Sequence, residues 1–224
     1  RDRLRSRGLG DVYKRQKKLL VFLPFLLILA GAFVSCEEVE EEGKYANWQE
    51  RNQAFLDSIK VVAGDNYVPM DLEKLDKVEV GEMFYVKNEF VSTLQTPEYI
   101  YCKKLVKNLD GQRPMATEAA YVYYYGTLIT GTKFDGSFTG YSAIDQAIPN
   151  PPKNEPTDFD WTVMFTINSS SLTSGWRTFL QYMRVGERWM VYVPWGSAYG
   201  TDGSGSIPGY SVLAFDVIMT EVVQ

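Results

Sequence analysis

The sequence predicts an α+β fold: an antiparallel β-sheet curled around one short α-helix, with an N-terminal helical extension. Three observations carry that expectation. Residues 99–106, 120–128, 161–167, 188–193 and 212–222 are rich in β-branched and aromatic side chains, as half-buried strands are. Between the third and fourth of these runs, Trp176, Phe179, Leu180 and Met183 recur at helical spacing and make one apolar face. Upstream, residues 45–63 place Trp48, Phe55, Ile59 and Val62 near one side of a helix, with charges between them. Several strands with few helices fit a layered domain in which the helices lie on the sheet.

In chain order, residues 1–16 are basic, lack apolar periodicity and read as translated cloning sequence, so they are set aside. Lys17 and Lys18 precede an apolar run at 19–34. Its length suits a signal-peptide core and falls short of the ~20 residues that span a bilayer. The run closes on Ser35-Cys36, which resembles the bacterial lipobox. Residues 17–35 are then a lipoprotein signal peptide and Cys36 the lipid-modified first residue. Each acyl chain contributes roughly 0.8 kcal/mol per buried CH₂, so several acyl chains anchor a protein to a membrane. The acidic run from Glu37 to Glu42 reads as a solvated tether. Beside a lipobox it resembles the surface-export signal of Bacteroidetes lipoproteins, which implies a lipid-anchored protein of the bacterial outer membrane.

The helix at 45–63 is expected to pack on a neighbour, and a second copy of the chain would make a homodimer. Asp57-Ser58-Ile59 within it resembles a short O-glycosylation motif of the same bacteria. Residues 64–98 are mixed, with one strand at 83–90. The whole of 36–98 is thus tether, linker helix and N-terminal extension. Within the main domain, Ser174 is placed to cap the start of the short helix and Gly186 lies just past its end. Residues 150–156 form a polar loop punctuated by Pro151, Pro152 and Pro156. Residues 201–209 lack the Gly-Lys-Ser/Thr of a phosphate loop and the carboxylate spacing of a calcium loop, and read as a flexible flap.

Residues 36–224 hold 26 acidic and 15 basic side chains, a net charge near −11. That argues against a nucleic-acid partner, whose binding depends on phosphate neutralisation by Lys and Arg. With Cys36 acylated, Cys102 has no partner for a disulfide and reads as a buried thiol in a strand. The chain has no histidine. A site among the aromatics Tyr124, Phe134, Trp176, Tyr199 and Phe215 must work by shape, apolarity and a few hydrogen bonds, and no metal or cofactor is expected. Taken singly, these side chains also suit the core of any α+β domain.

Taken in order, the blocks resemble the FKBP-type peptidyl-prolyl cis-trans isomerase domain. The family pattern V-x-Y-x-G-x-L-x-x-G-x-x-F-D is met by Val122, Tyr124, Gly126, Leu128, Gly131, Phe134 and Asp135. Gly175-Trp176, Gln181, Met183 and Val185-Gly186 follow, then Pro194 with Ala198-Tyr199-Gly200, Ile207-Pro208, and Leu213 with Phe215-Asp216-Val217. The resemblance covers residues 99–222 and assigns the isomerase domain to 99–224. It implies a catalytic set of Tyr124, Phe134, Asp135, Trp176, Tyr199 and Phe215. Trp176 would floor a pocket for the proline ring, with Tyr124, Phe134 and Phe215 as walls and Asp135 beside it. Leu172, Thr173 and Ile207 would bind substrate, Thr173 through its backbone N–H, and the Tyr199 hydroxyl would hold a substrate carbonyl. The implied activity is rotamase action on proline-containing polypeptides, assisting the folding of exported proteins.

The departures favour an alternative, a catalytically weak binding or chaperone module on the same fold. Thr173 replaces the usual Ile or Val. Val163 stands where an aromatic often sits, and Ser206 lies in a shortened flap. The segment 136–160 is longer than in minimal members of the family.

Overall fold

The computed structural model describes residues 43–69, 71–91, 97–145 and 147–224. The stretch 1–16, the signal-peptide run 17–35, Cys36 and the acidic residues to Glu42 lie outside the described residues. Asn47–Gln224 is one compact unit. Its strands are β1 (Met83–Lys87), β2 (Tyr99–Val106), β3 (Ala119–Leu128), β4 (Lys133–Gly136), β5 (Val163–Thr166), β6 (Arg188–Val193) and β7 (Leu213–Val223). They form one sheet in the order β1-β2-β6-β7-β3-β4, with β5 also on β3, and every pairing is antiparallel. The α+β expectation holds.

Two helices cover opposite faces of this sheet. Helix α1 (Trp48–Ala63) buries Trp48, Asn52, Leu56, Ile59 and Ala63. Leu56, Ile59 and Ala63 join Met83, Tyr101, Met190 and Tyr192 in one core cluster. Helix α3 (Ser174–Leu180) lies on the other face, where a Cβ on Gly175 would come within 2.4 Å of Val193 Cγ1. Only glycine lets this helix approach the strand so closely. Met190 and Tyr192 alternate with Val191 and Val193 along β6, so the two faces of that strand are served by different helices. All six β6 residues are buried for that reason. Cys102 is fully buried in β2, and burial pushes its thiol pKa far above the ordinary range.

Helix α1, shorter than the 45–63 expected, packs on its own sheet, and its buried stripe differs from the expected one. Val62 is exposed, as is Val61, while Asn52 is fully buried. Asn52 Nδ2 donates to the Trp48 carbonyl at 2.8 Å, and its Oδ1 accepts from the Val212 N–H at 2.8 Å. Trp48 Nε1 donates to Ser211 Oγ at 3.0 Å. The side chains of the helix thus bond the chain just ahead of β7.

The caps of α3 also differ. Thr173, not Ser174, caps it, its Oγ1 accepting from the Trp176 N–H at 3.5 Å. The helix ends at Leu180, well before Gly186. Its exit tightens because the Gln181 and Tyr182 N–H groups reach carbonyls only three residues back, Thr178 and Phe179. Gln181 Nε2 takes the Arg177 carbonyl at 2.7 Å. Met183 lies beyond the helix and is fully buried.

Helix α2 (Leu72–Lys77) is capped by Asp71, whose carboxylate accepts from the Glu73 and Lys74 N–H groups. Its Asp76 accepts from Arg113 Nη2 at 2.5 Å and from Arg184 Nη2 at 2.8 Å. Partial burial would raise the Asp76 pKa, but the bonds from Arg184 and Arg113 outweigh it and lower the pKa from 3.8 to about 2. A depressed folded-state pKa contributes stability above the unfolded value and loses it as pH falls through the folded one. Asp76→Asn should therefore cost about 1–2 kcal/mol at pH 7, an amount discounted for partial exposure. Urea unfolding should show the difference from wild type shrinking as pH falls from 4 toward 2.

Candidate functional site

The site is built where β3, β4, β5 and β7 face helix α3. Along β3, Val122 and Tyr124 point inward and are buried, while Tyr123 and Tyr125 alternate outward. Gly126 pairs with Asp135 and Thr127 with Lys133, so Phe134 is the extra residue of a β-bulge. A bulge re-aims a side chain, and here the Phe134 ring comes to lie over Gly126. A Cβ at Gly126 would sit 2.7 Å from Phe134 Cζ and 2.9 Å from Phe215 Cε1. Glycine at this point lets two phenyl rings meet edge to face, 5.5 Å between centroids.

Trp176 is the centre of the assembly. Its ring lies 5.4 Å from Tyr124, 4.8 Å from Phe165, 5.0 Å from Phe179 and 5.1 Å from Phe215. Tyr124 and Phe215 meet it nearly edge-on, at 86° and 81°, which suits the negative faces and positive edges of aromatic rings. Together they bound a cavity of about 90 Å³, lined by Tyr124, Phe134, Asp135, Phe165, Ser171, Leu172, Thr173, Trp176, Tyr199 and Phe215. Drug- and cofactor-sized pockets run roughly 300–1,000 Å³, so this cavity takes one small ring.

The polar side chains of the lining are Tyr124, Asp135, Ser171, Thr173 and Tyr199. The Tyr124 hydroxyl donates to Asp135 Oδ2 at 2.9 Å, and Asp135 Oδ1 accepts from the Gly136 N–H at 2.8 Å. Burial and the bond to Asp135 push the Tyr124 phenol far above its usual pKa. Burial, then the charge of Asp135, also raises that of Tyr199. Both phenols are thus neutral donors across the physiological range. Among the described residues, nothing accepts from the Tyr199 hydroxyl or from the Thr173 N–H. Nor do three or more His, Cys, Asp or Glu side chains gather to hold a metal.

Of the expected site residues, the structure brings Tyr124, Phe134, Asp135, Leu172, Thr173, Trp176, Tyr199 and Phe215 to this one cavity. Ile207 is not part of the lining. The loop at 201–209 is closed rather than loose: Ser204 and Ile207 exchange backbone hydrogen bonds, both 2.9 Å, and the Tyr210 N–H bonds the Gly200 carbonyl at 2.9 Å. Ile207 is buried within it. Phe165 and Ser171 also line the cavity, beyond the residues to which the sequence points. For Phe165 the signal existed. Val163 and Phe165 face the same way in β5, so the aromatic missing at Val163 is supplied two residues later.

The family of FKBP-type peptidyl-prolyl cis-trans isomerases matches residues 111–220. A relative from Aeromonas hydrophila, "FKBP-type peptidyl-prolyl cis-trans isomerase FkpA", is 27% identical over 213 residues, covering 95% of this chain and 70% of the relative. The "Macrophage infectivity potentiator" of Trypanosoma cruzi is 27% identical over 169 residues, 75% of this chain and 76% of that protein. The "FKBP-type 22 kDa peptidyl-prolyl cis-trans isomerase" of Escherichia coli K12 reaches 31% identity over 121 residues, about half of each chain. Through residues 111–220, the chain belongs to the FKBP-type peptidyl-prolyl cis-trans isomerase family.

Proposed function

We propose that the chain is a peptidyl-prolyl cis-trans isomerase that assists the folding of exported polypeptides. The observation that carries this is the aromatic-walled cavity floored by Trp176 in a domain of that family. Resonance gives the peptide C–N bond partial double-bond character, and rotation costs roughly 18–20 kcal/mol. For X–Pro both isomers are populated, but exchange takes tens to hundreds of seconds. The planar amide carries more charge separation than the twisted one. Transfer from water into an apolar cup therefore costs the ground state more than the transition state, and the twisted state is bound preferentially. The Tyr199 hydroxyl and the Thr173 N–H hold carbonyls of the flanking chain while the prolyl bond turns. A thousandfold acceleration needs only about 4 kcal/mol, and no acid, base or nucleophile.

A protease-coupled assay on an Xaa-Pro peptide tests the proposal. A rate equal to the uncatalysed one, with the peptide still bound, would select the binding-module alternative. Thr173 favours that alternative, whereas Phe165 removes the objection raised by Val163. Tyr199→Phe deletes one neutral hydrogen bond, worth about 0.5–1.5 kcal/mol, so kcat/KM should fall by about tenfold at most. A complete loss in the folded variant would sink the mechanism. Because both phenols stay protonated and no histidine is present, the wild-type rate should be flat from about pH 6 to 9.

The same proposal places the protein in the bacterial cell envelope, lipid-anchored through Cys36 to the outer membrane. The apolar run at 19–34, Ser35-Cys36 and the acidic run support that address. Among the described residues, no helix is long and apolar enough to cross a membrane. Labelled palmitate should enter the chain and be absent from Cys36→Ser. A homodimer through 45–63 would have to use Val61 and Val62, because the other large apolar side chains of α1 are buried or packed against the core. Light scattering of the full chain decides this.

A further inference from the structure

A buried polar network joins the two sides of the cavity from outside the stretch that the family matches. Asn88 follows β1 and is 1% exposed. Its Nδ2 donates to Ser174 Oγ at 2.9 Å and to Ser197 Oγ at 2.8 Å. Its Oδ1 accepts from the Phe90 N–H at 3.0 Å and from Thr178 Oγ1 at 2.9 Å. Thr178 shares that proton with the Ser174 carbonyl at 2.8 Å. Both donors and both lone pairs of the amide are thus in use. Ser174 Oγ donates onward to the Ser197 carbonyl at 3.3 Å, and Ser197 Oγ to Glu98 Oε2. The Asn88 N–H donates to the Glu98 carbonyl at 2.8 Å, closing the circuit. Glu98 also lies against Gly196, where a Cβ would be 1.9 Å from its Oε1.

Three members of this network belong to the elements that carry or adjoin the site. Ser174 and Thr178 are in α3, which carries Trp176. Ser197 ends the short 3₁₀ turn Trp195–Ser197, two residues before Tyr199. Asn88 and Glu98 both precede residue 111, where the family match begins. A fully satisfied buried network has few alternative arrangements, because each broken bond leaves a buried group unpaired. We propose that Asn88 and Glu98, acting through Ser174 and Ser197, are positioning residues that set the Tyr199 hydroxyl relative to the Trp176 floor. The N-terminal extension is then a working part of the site. This rests on the reading of the cavity as the prolyl site.

The test uses the full chain labelled with fluorotyrosine, the Tyr199 fluorine line being assigned by its loss in Tyr199→Phe. Asn88→Ala and Glu98→Ala should each lower kcat/KM by about 3- to 10-fold and shift or broaden the Tyr199 line. Adding Tyr199→Phe to either should cost less than about twofold more, because residues in one network do not act additively. Glu98→Gln, whose amide oxygen still accepts from Ser197, should restore both readouts. An unmoved Tyr199 line with additive rate losses overturns the proposal, as does a lowered Tm with both readouts unchanged. If Asn88→Ala does not fold, Glu98→Ala, at the partly exposed end of the network, carries the test by the same criteria. A wild-type chain silent in the assay whose Tyr199 line still moves in Glu98→Ala overturns the isomerase reading and supports the positioning role.

Discussion

Trp176→Ala is expected to lower kcat/KM by at least about 100-fold, or roughly 2.7 kcal/mol of transition-state stabilisation. It should also destabilise the domain by about 3–5 kcal/mol, the usual range for a buried aromatic cut to alanine. Both effects have one source. Trp176 is 6% exposed and touches four aromatic rings, three of them walls of the cavity. Removing it lowers the floor and frees Tyr124 and Phe215 to collapse inward, so the cavity loses both its apolar base and its shape. Trp176→Leu separates the two effects, because a branched apolar side chain restores much of the lost packing and none of the flat floor. The variant should melt closer to wild type while kcat/KM stays more than about tenfold down, a loss of at least 1.4 kcal/mol. Rates must be compared at a temperature where each variant is folded by circular dichroism. A folded Trp176→Leu with wild-type kcat/KM would remove Trp176 from the mechanism.

The parts of this site that could be read from the chain are those set by local pattern. Inward Val122, Tyr124 and Gly126 follow the two-residue period of a strand, and Trp176 and Phe179 follow the helical period. β4 escaped notice because Lys133–Gly136 is four residues long, half of them polar, and exists as the bulged partner of β3. Helix α2 buries only Leu75, which is no period at all. The face of α1 differs from the expected one for another reason. Apolarity selects Phe55 and Val62, whereas the buried stripe includes Asn52, an amide held in the core by the Val212 N–H and the Trp48 carbonyl. A polar residue that is buried because a distant backbone group offers it a bond leaves no trace in hydropathy. Asn88 is a second example: three of its side-chain partners lie 86 to 109 residues away.

Arg188→Met is expected to destabilise the domain by about 3–5 kcal/mol, because it strands a buried carboxylate. Arg188 is 1% exposed and Asp216 0%. The guanidinium grips Asp216 with two bonds, Nε to Oδ1 at 2.8 Å and Nη2 to Oδ2 at 2.7 Å, and the Tyr141 N–H adds a third at 2.8 Å. Arg188 also lies over the Phe138 and Tyr141 rings, at 5.5 and 5.2 Å, and Nη1 reaches Glu155 at 3.4 Å. A Cβ on Gly140 would come within 2.6 Å of Asp216 Oδ2, so the chain runs tight against the pair. This one ion pair therefore pins the long connection between β4 and β5 to the face of the sheet opposite α3. The double variant Arg188→Met/Asp216→Leu should recover much of the loss, since replacing a buried pair with apolar side chains is often neutral. It should not recover all of it, because the Tyr141 N–H then lacks an acceptor, at about 1–3 kcal/mol. Urea unfolding of wild type, both single variants and the double variant forms the cycle. A double variant no more stable than Arg188→Met would show that the carboxylate is held by the backbone rather than by the arginine. Because Arg188 lies on the far side of the sheet from Trp176, folded Arg188→Met should keep its cavity, so the cycle probes stability while the Trp176 series probes the chemistry.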